Sequence, residues 1–205
     1  MKHLILSALL TIALSNYASA QKLYIWCPEQ PTAKQHVGFL DRQQVDLVIF
    51  DGRSIPSNSK VECQSADVEE ALKHFIQYAY PSCKITVLAD SMYYRPSESG
   101  KITIKIGIAA YQAGFGTDIE VGIGSVGGKF AYGVFPKGEW NGLVSYYLQI
   151  FDNRGGGTKK MSKEVSSVTS KSNLWGYKTA KACLFASYDK ANLDLLSFIE
   201  DSLMQ

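Results

Sequence analysis

Two stretches of this chain alternate with a strict period of two. Ile102, Ile104, Ile106 and Ile108 are interleaved with Thr103, Lys105, Gly107 and Ala109, and Val144, Tyr146, Leu148 and Ile150 repeat the pattern further on. Successive side chains on a strand point to opposite faces, so each stretch predicts a strand whose aliphatic face must be covered. Two amphipathic helices are available to cover it. Val68, Ala71, Leu72, Phe75, Ile76 and Ala79 fall on one helical stripe. Leu184, Tyr188, Ala191, Leu195, Phe198 or Ile199, and Leu203 recur at alternating steps of four and three, with Cys183 beside them. Each helix has a single apolar face, and the apolar face of an antiparallel sheet is the simplest surface to bury it. The expected fold is α+β: a two-layer sandwich of a mainly antiparallel sheet with two helices packed on one face.

The remaining elements follow from local chemistry. Val45 to Phe50 is a short apolar run stopped by Asp51-Gly52, a buried strand and a turn. The Ser-, Pro- and Asn-rich stretch from Ser54 to Ser65 reads as loop. Asp67 is placed to cap the first helix, with Glu70 at the capping-box position, and Pro81 ends that helix near Tyr80. Lys84 to Ala89 and Phe130 to Phe135 read as further strands. Asn153-Arg154-Gly155-Gly156-Gly157 is a turn, after which Lys159 to Thr169 returns as a polar strand suited to a sheet edge. Residues 21–44, punctuated by Pro28 and Pro31, form an N-terminal arm. Residues 45–205 form a single α+β domain with a glycine-rich hairpin insertion at about 114–142.

The first twenty residues specify an address. Lys2, the apolar run Leu4–Leu14 and Ala18-Ser19-Ala20 are the three parts of a cleavable signal peptide, with Gln21 as the new N-terminus. The run is too short to span a bilayer, which needs about 20 apolar residues. The expected location is periplasmic or secreted. Removing residues 1–20 of 205 leaves 185, and removing Lys2 takes the net charge from +2 to +1. That balance argues against nucleic acid, whose phosphates demand a strong basic face.

An exported chain with Cys27, Cys63, Cys83 and Cys183 is expected to form at least one disulfide, and four cysteines allow three connectivities. Their wide spacing disfavours zinc. Cys27 is not at the cleavage site and follows Tyr24-Ile25-Trp26, which is no lipobox, so no lipid anchor is expected.

Catalytic signatures are weak. Gly122-Ile123-Gly124-Ser125-Val126-Gly127 spells G-x-G-x-x-G, but it leads into a strand-like segment instead of the helix that would bind a pyrophosphate. Gly128-Lys129 fails as a phosphate loop because Phe130 stands where Ser or Thr must hold magnesium. After signal removal only His36 and His74 remain, too few for a metal cluster and a thin supply of bases. Asp51 with Arg53, and Asp152 with Arg154, flank turns and read as ion pairs or Asx-turns. No cofactor, metal or catalytic residue is assigned. The aromatic side chains, Trp175 among them, are expected mostly to pack in the sheet. Tyr111, Phe115 and Trp140, near the glycine-rich loop, form a candidate recognition surface. Lys159, Lys160 and Lys163 form a second, on the edge strand.

The order of elements resembles that of the YajG-like envelope lipoproteins and the related auxiliary lipoproteins of ABC-type transport systems. The matching features are Val45-Asp46-Leu47-Val48 with Asp51-Gly52-Arg53, the helix Asp67–Tyr80, the strand Ile102–Tyr111, the hairpin Val144–Val168 around Gly155-Gly156-Gly157, and the helix Lys178–Met204. The resemblance covers roughly residues 45–204. It implies a small α+β domain of the cell envelope with no catalytic residues to carry over. This chain departs from the family in lacking the lipid-bearing cysteine and in the added segment Gly114–Gly142. The expected function is that of a non-enzymatic envelope protein with a protein partner, accessory to a transport or envelope-assembly system. The alternatives are a small-ligand or glycan binder using the aromatics, and a hydrolase whose nucleophile is not evident.

Overall fold

The computed structural model describes residues 22–29, 34–88, 100–116 and 138–204. The signal-peptide segment, Gly122–Gly127 and Phe130–Phe135 lie outside the described residues, as do Tyr93, Tyr94 and Tyr132. Seven strands and two helices are present among those described: β1 (Tyr24–Ile25), β2 (Gln44–Asp51), β3 (Lys60–Val61), α1 (Ser65–Ala79), β4 (Lys84–Val87), β5 (Ile102–Phe115), β6 (Glu139–Asp152), β7 (Lys159–Ser172) and α2 (Tyr177–Leu203).

The strands form one strongly curled sheet. β5 is its centre. Along one edge it pairs with β2 through Val45↔Ile102 to Asp51↔Ile108, and with β1 at Tyr24↔Ala113. Along the other it pairs with β6 over its full length. β4 extends the sheet beyond β2, β3 beyond β1, and β7 beyond β6.

The α+β class holds, but the sheet is mixed. β2 runs parallel to both β4 and β5, and β1 parallel to β3. The expectation of a mainly antiparallel two-layer sandwich is corrected here. After β2 the chain passes through α1 before entering β4, which returns it to the end where β2 began. Parallel strands require such a crossover. The antiparallel part is the meander β5–β6–β7.

The alternating aliphatic faces meet the helices as their period requires. Val45, Leu47 and Ile49 of β2, the four isoleucines of β5, and Val144, Tyr146, Leu148 and Ile150 of β6 share one core with Val68, Leu72, Phe75 and Ile76 of α1 and Leu184, Tyr188, Leu195 and Ile199 of α2. The helix α1 begins three residues earlier than its charges suggest. Gln64 is its cap, and the Asp67 carboxylate accepts the Gln64 N–H at 3.0 Å, so Asp67 is the third residue of the helix and not its cap. Glu70 instead faces Lys73 and His74. Gly142 sets how closely α2 approaches β6: a Cβ there would overlap the Cys183 carbonyl and the Leu184 nitrogen. The Ser187 hydroxyl donates to the Gly142 carbonyl at 2.9 Å across the same contact.

The opposite face of the sheet is buried as well and mixes polar Asp46, Thr103, Lys105, Gln112, Asn141 and Ser145 with apolar Val48, Phe50 and Leu143. One-sided alternation does not predict this.

Candidate functional site

The two candidate surfaces lie at opposite ends of the β6–β7 hairpin. Trp140 is opposite Lys171, and Asp152 is opposite Lys159. The strand between Lys159 and Lys171 spans about 40 Å at about 3.4 Å per residue.

β6 finishes at the turn end in a clasp that the end of β2 repeats elsewhere, because Asp152 lies opposite Ile102 whereas Asp51 lies opposite Ile108, midway along β5. Asp152 accepts the Arg154 backbone N–H at 3.1 Å and its guanidinium at 2.9 and 2.7 Å. Asp51, at the end of β2, accepts the Arg53 N–H at 2.9 Å and its guanidinium at 2.8 and 2.7 Å. The ion pairs read from Asp-x-Arg are therefore present. The Arg53 side chain is buried, donates to the Tyr111 carbonyl and lies over the Tyr111 ring. Burial acts to raise the Asp51 carboxyl, but its hydrogen bonds from Arg53 and Ser65 and the Arg53 charge outweigh that and hold it below the ordinary carboxylate range. The lysines are dispersed over two faces. Lys160 lies over the Phe151 ring, and Lys163 lies over Phe198 of α2. Lys159 is exposed.

At the other end, the three candidate aromatics part company. Tyr111 belongs to the core. Its ring meets Tyr188 edge-on at 5.5 Å, because the bulge after Ile108 turns it to the helix side. Burial pushes the hydroxyls of Tyr111 and Tyr146 upward and that of Tyr188 up to about 12, so all three remain protonated at neutral pH. Tyr146 donates to Asn192 at 3.0 Å. Phe115 and Trp140 do meet, at 5.2 Å between ring centroids. Trp140 is only 6% exposed, whereas Phe115 is 42% exposed.

These two rings are part of a larger cluster. Tyr24 of β1 contacts Trp26, Trp140 and Tyr177, and Trp140 also contacts Tyr177. Beyond the cluster, the β7–α2 turn carries Leu174 and Trp175 at 78% and 77% exposure. Trp175 thus stands in solvent and does not pack in the sheet. The turn is tightly bonded. The Asn173 carboxamide oxygen accepts the Gly176 N–H and the Trp140 indole N–H, both at 3.0 Å, and Thr179 Oγ1 accepts the Trp175 N–H at 3.1 Å. Gly176 adopts φ +57°, ψ −126°, a conformation open to glycine and strained for other residues. The sequence clue to this feature is two large apolar side chains inside the turn-forming frame Asn173-x-x-Gly176.

Cys27 and Cys63 are joined, with Cα atoms 4.7 Å apart, tying the N-terminal arm to the entry of α1. Cys83 and Cys183 are free thiols. Burial pushes the Cys83 thiol up to about 11 and raises that of Cys183. Among the described residues, Cys27, Cys63 and Asp67 bring ligand atoms within 4.8 Å of one another. The two sulfurs are bonded to each other, so they offer no thiolates to an ion. No helix of the described residues is long and apolar enough to cross a membrane.

No family model and no curated protein matches the chain. Solved structures similar to it include the hypothetical protein CT253 from Chlamydia trachomatis, 10% identical over 78% of this chain and 96% of that one, with a TM-score of 0.44. A putative neuraminyllactose-binding hemagglutinin homolog from Helicobacter pylori is 10% identical over 88% of this chain and 91% of that one, with a TM-score of 0.41.

Proposed function

We propose that this chain is a non-enzymatic exported protein of the cell envelope that works by accepting a strand of a partner protein on the open edge of β7, as an accessory to a transport or envelope-assembly system. The observation that carries the reading is the state of that edge. Among the described residues β7 pairs only with β6, in a register unbroken from Lys159 to Ser172. Protected edges are shortened, bulged, interrupted by proline or charged along their length. The lysines of β7 stand toward its ends, and Val165-Ser166-Ser167-Val168-Thr169-Ser170 between them carries no charge and no proline. Backbone bonds along such an edge supply affinity, and side-chain contacts supply choice of partner. The Asp-x-Arg pairs act as turn clasps in this reading. The Cys27–Cys63 bond suits an oxidising compartment, and the resemblance to envelope lipoproteins favours the same address.

Alternate residues of an antiparallel strand turn their N–H toward the neighbour or away from it, so Ser166 and Ser167 fall one in each set. Proline at the outward-facing position should abolish capture of the partner from envelope extracts and leave the melting temperature close to that of the wild type. Proline at the other position should remove a ladder bond to β6 and destabilise the sheet. Undiminished capture by the folded outward-facing variant removes β7 as the binding edge.

A further inference from the structure

We propose that the β7–α2 turn is a membrane-contact tip, inserting Leu174 and Trp175 into the interfacial layer of an anionic bilayer. Three observations lead there. First, the two largest exposures among the apolar side chains of the described residues are neighbours in sequence, at 78% and 77%, and project from a turn instead of lining a groove. A projecting apolar pair fits a soft planar medium. Second, the turn is held in shape by Asn173, Thr179 and the glycine conformation at Gly176, so the pair is exposed by a bonded frame and not by a loose loop. Contact then costs little ordering entropy. Third, two basic side chains flank the pair. Lys171 and Lys178 bracket it in sequence and both are exposed, while the acidic Glu139, opposite Ser172, accepts the Ser172 hydroxyl at 3.3 Å.

Tryptophan and tyrosine favour the bilayer interface because an apolar ring body and a polar N–H or O–H tip suit its two sides. Tyr177, half-exposed, adds such a ring next to the pair. Lysine stems reach past apolar contacts to place the ammonium among headgroups. Each lysine near an anionic surface contributes on the order of 1 kcal/mol, which corresponds to roughly fivefold in partition. One tip of this size gives weak, reversible association, since lasting attachment takes two signals. The inference is independent of the strand-pairing edge, although the tip follows directly after β7.

The test uses the purified protein with vesicles of mixed phosphatidylcholine and phosphatidylglycerol, and with vesicles of phosphatidylcholine alone. The protein should sediment with the anionic vesicles, and added salt should weaken that association. Leu174→Ser/Trp175→Ser should lower partition roughly tenfold or more while circular dichroism and melting stay unchanged. Lys171→Gln/Lys178→Gln should remove the preference for anionic vesicles. With brominated lipid, tryptophan emission should be quenched in the wild type, and in Trp175→Phe the quenching should be lost while sedimentation persists. No association of the wild type at low ionic strength overturns the proposal. So does association that the folded double serine variant retains in full. Sedimentation without bromolipid quenching also overturns it.

Discussion

Gly142 illustrates how one residue sets the distance between layers. Its missing side chain is what allows the α2 backbone at Cys183 and Leu184 to rest on β6. Added volume in a packed core costs about 1–3 kcal/mol, and here the obstacle is main chain, which cannot rotate away. Gly142→Ala should therefore lose about 3 kcal/mol in urea denaturation, whereas Gly155→Ala, with open space around it, should be nearly neutral. Equal stabilities for the two variants would refute this role. Asp51 makes a second case, because its partner Arg53 is buried. Removing one member of such a pair strands the other and costs about 3–5 kcal/mol. Asp51→Ala should show a loss of this order at neutral pH. The sign of its pH dependence follows from the lowered carboxyl. The stabilisation is present above the unfolded-state value, near pH 4, and is lost as pH falls through the lower folded-state value. The gap between wild type and variant should narrow on acidification in that window. A gap constant from neutral pH into that acid range would contradict the assignment.

At the scale of elements, β1 and β3 are two residues each, too short to hold themselves in place. β1 pairs with β5 at a single position, Tyr24↔Ala113. The Cys27–Cys63 bond closes a separation of 36 residues and ties this pair to the entry of α1. Loop-closure arguments give such a link about 4 kcal/mol. Denatured, unreduced protein should thus titrate as two thiols, those of Cys83 and Cys183. Cys27→Ser/Cys63→Ser should lose about 2–4 kcal/mol and leave the β5–β6–β7 meander folded by hydrogen exchange. Four titratable thiols, or an unchanged unfolding midpoint in the double variant, would show that the link does not hold the arm.

For the whole molecule, the central position of β5 has consequences on both sides. Its one edge serves β2 and β1 in succession, and its other edge serves β6 throughout, so the helices cover one continuous aliphatic face while the ends of the strands diverge in role. The turn end near Gly155 is polar and clasped by Asp152 and Arg154. The opposite end gathers the aromatic rings around Trp140 and projects Leu174 and Trp175. The edge of β7 away from β6, unpaired among the described residues, runs between these ends.

Much of this was legible in the chain itself. The two alternating stretches specify β5 and β6, the stripes at Val68–Ala79 and Leu184–Leu203 specify the helices, and the polar composition of Lys159–Thr169 marks an edge. The Asp-x-Arg turns are equally local. Such features depend on spacings of two to four residues, which a sequence displays directly. Tertiary structure alone decided which strands lie side by side and in what direction, which two of the four cysteines join, and that the second face of the sheet is buried as well. It also decided that Tyr111 goes to the core and Trp175 to solvent. Each of these depends on which distant segments meet: a one-residue bulge after Ile108 reorients Tyr111, and a bonded turn at Asn173–Gly176 holds Trp175 77% exposed. Residue type records an aromatic ring's appetite for burial, but only the assembled fold determines whether a surface is there to bury it.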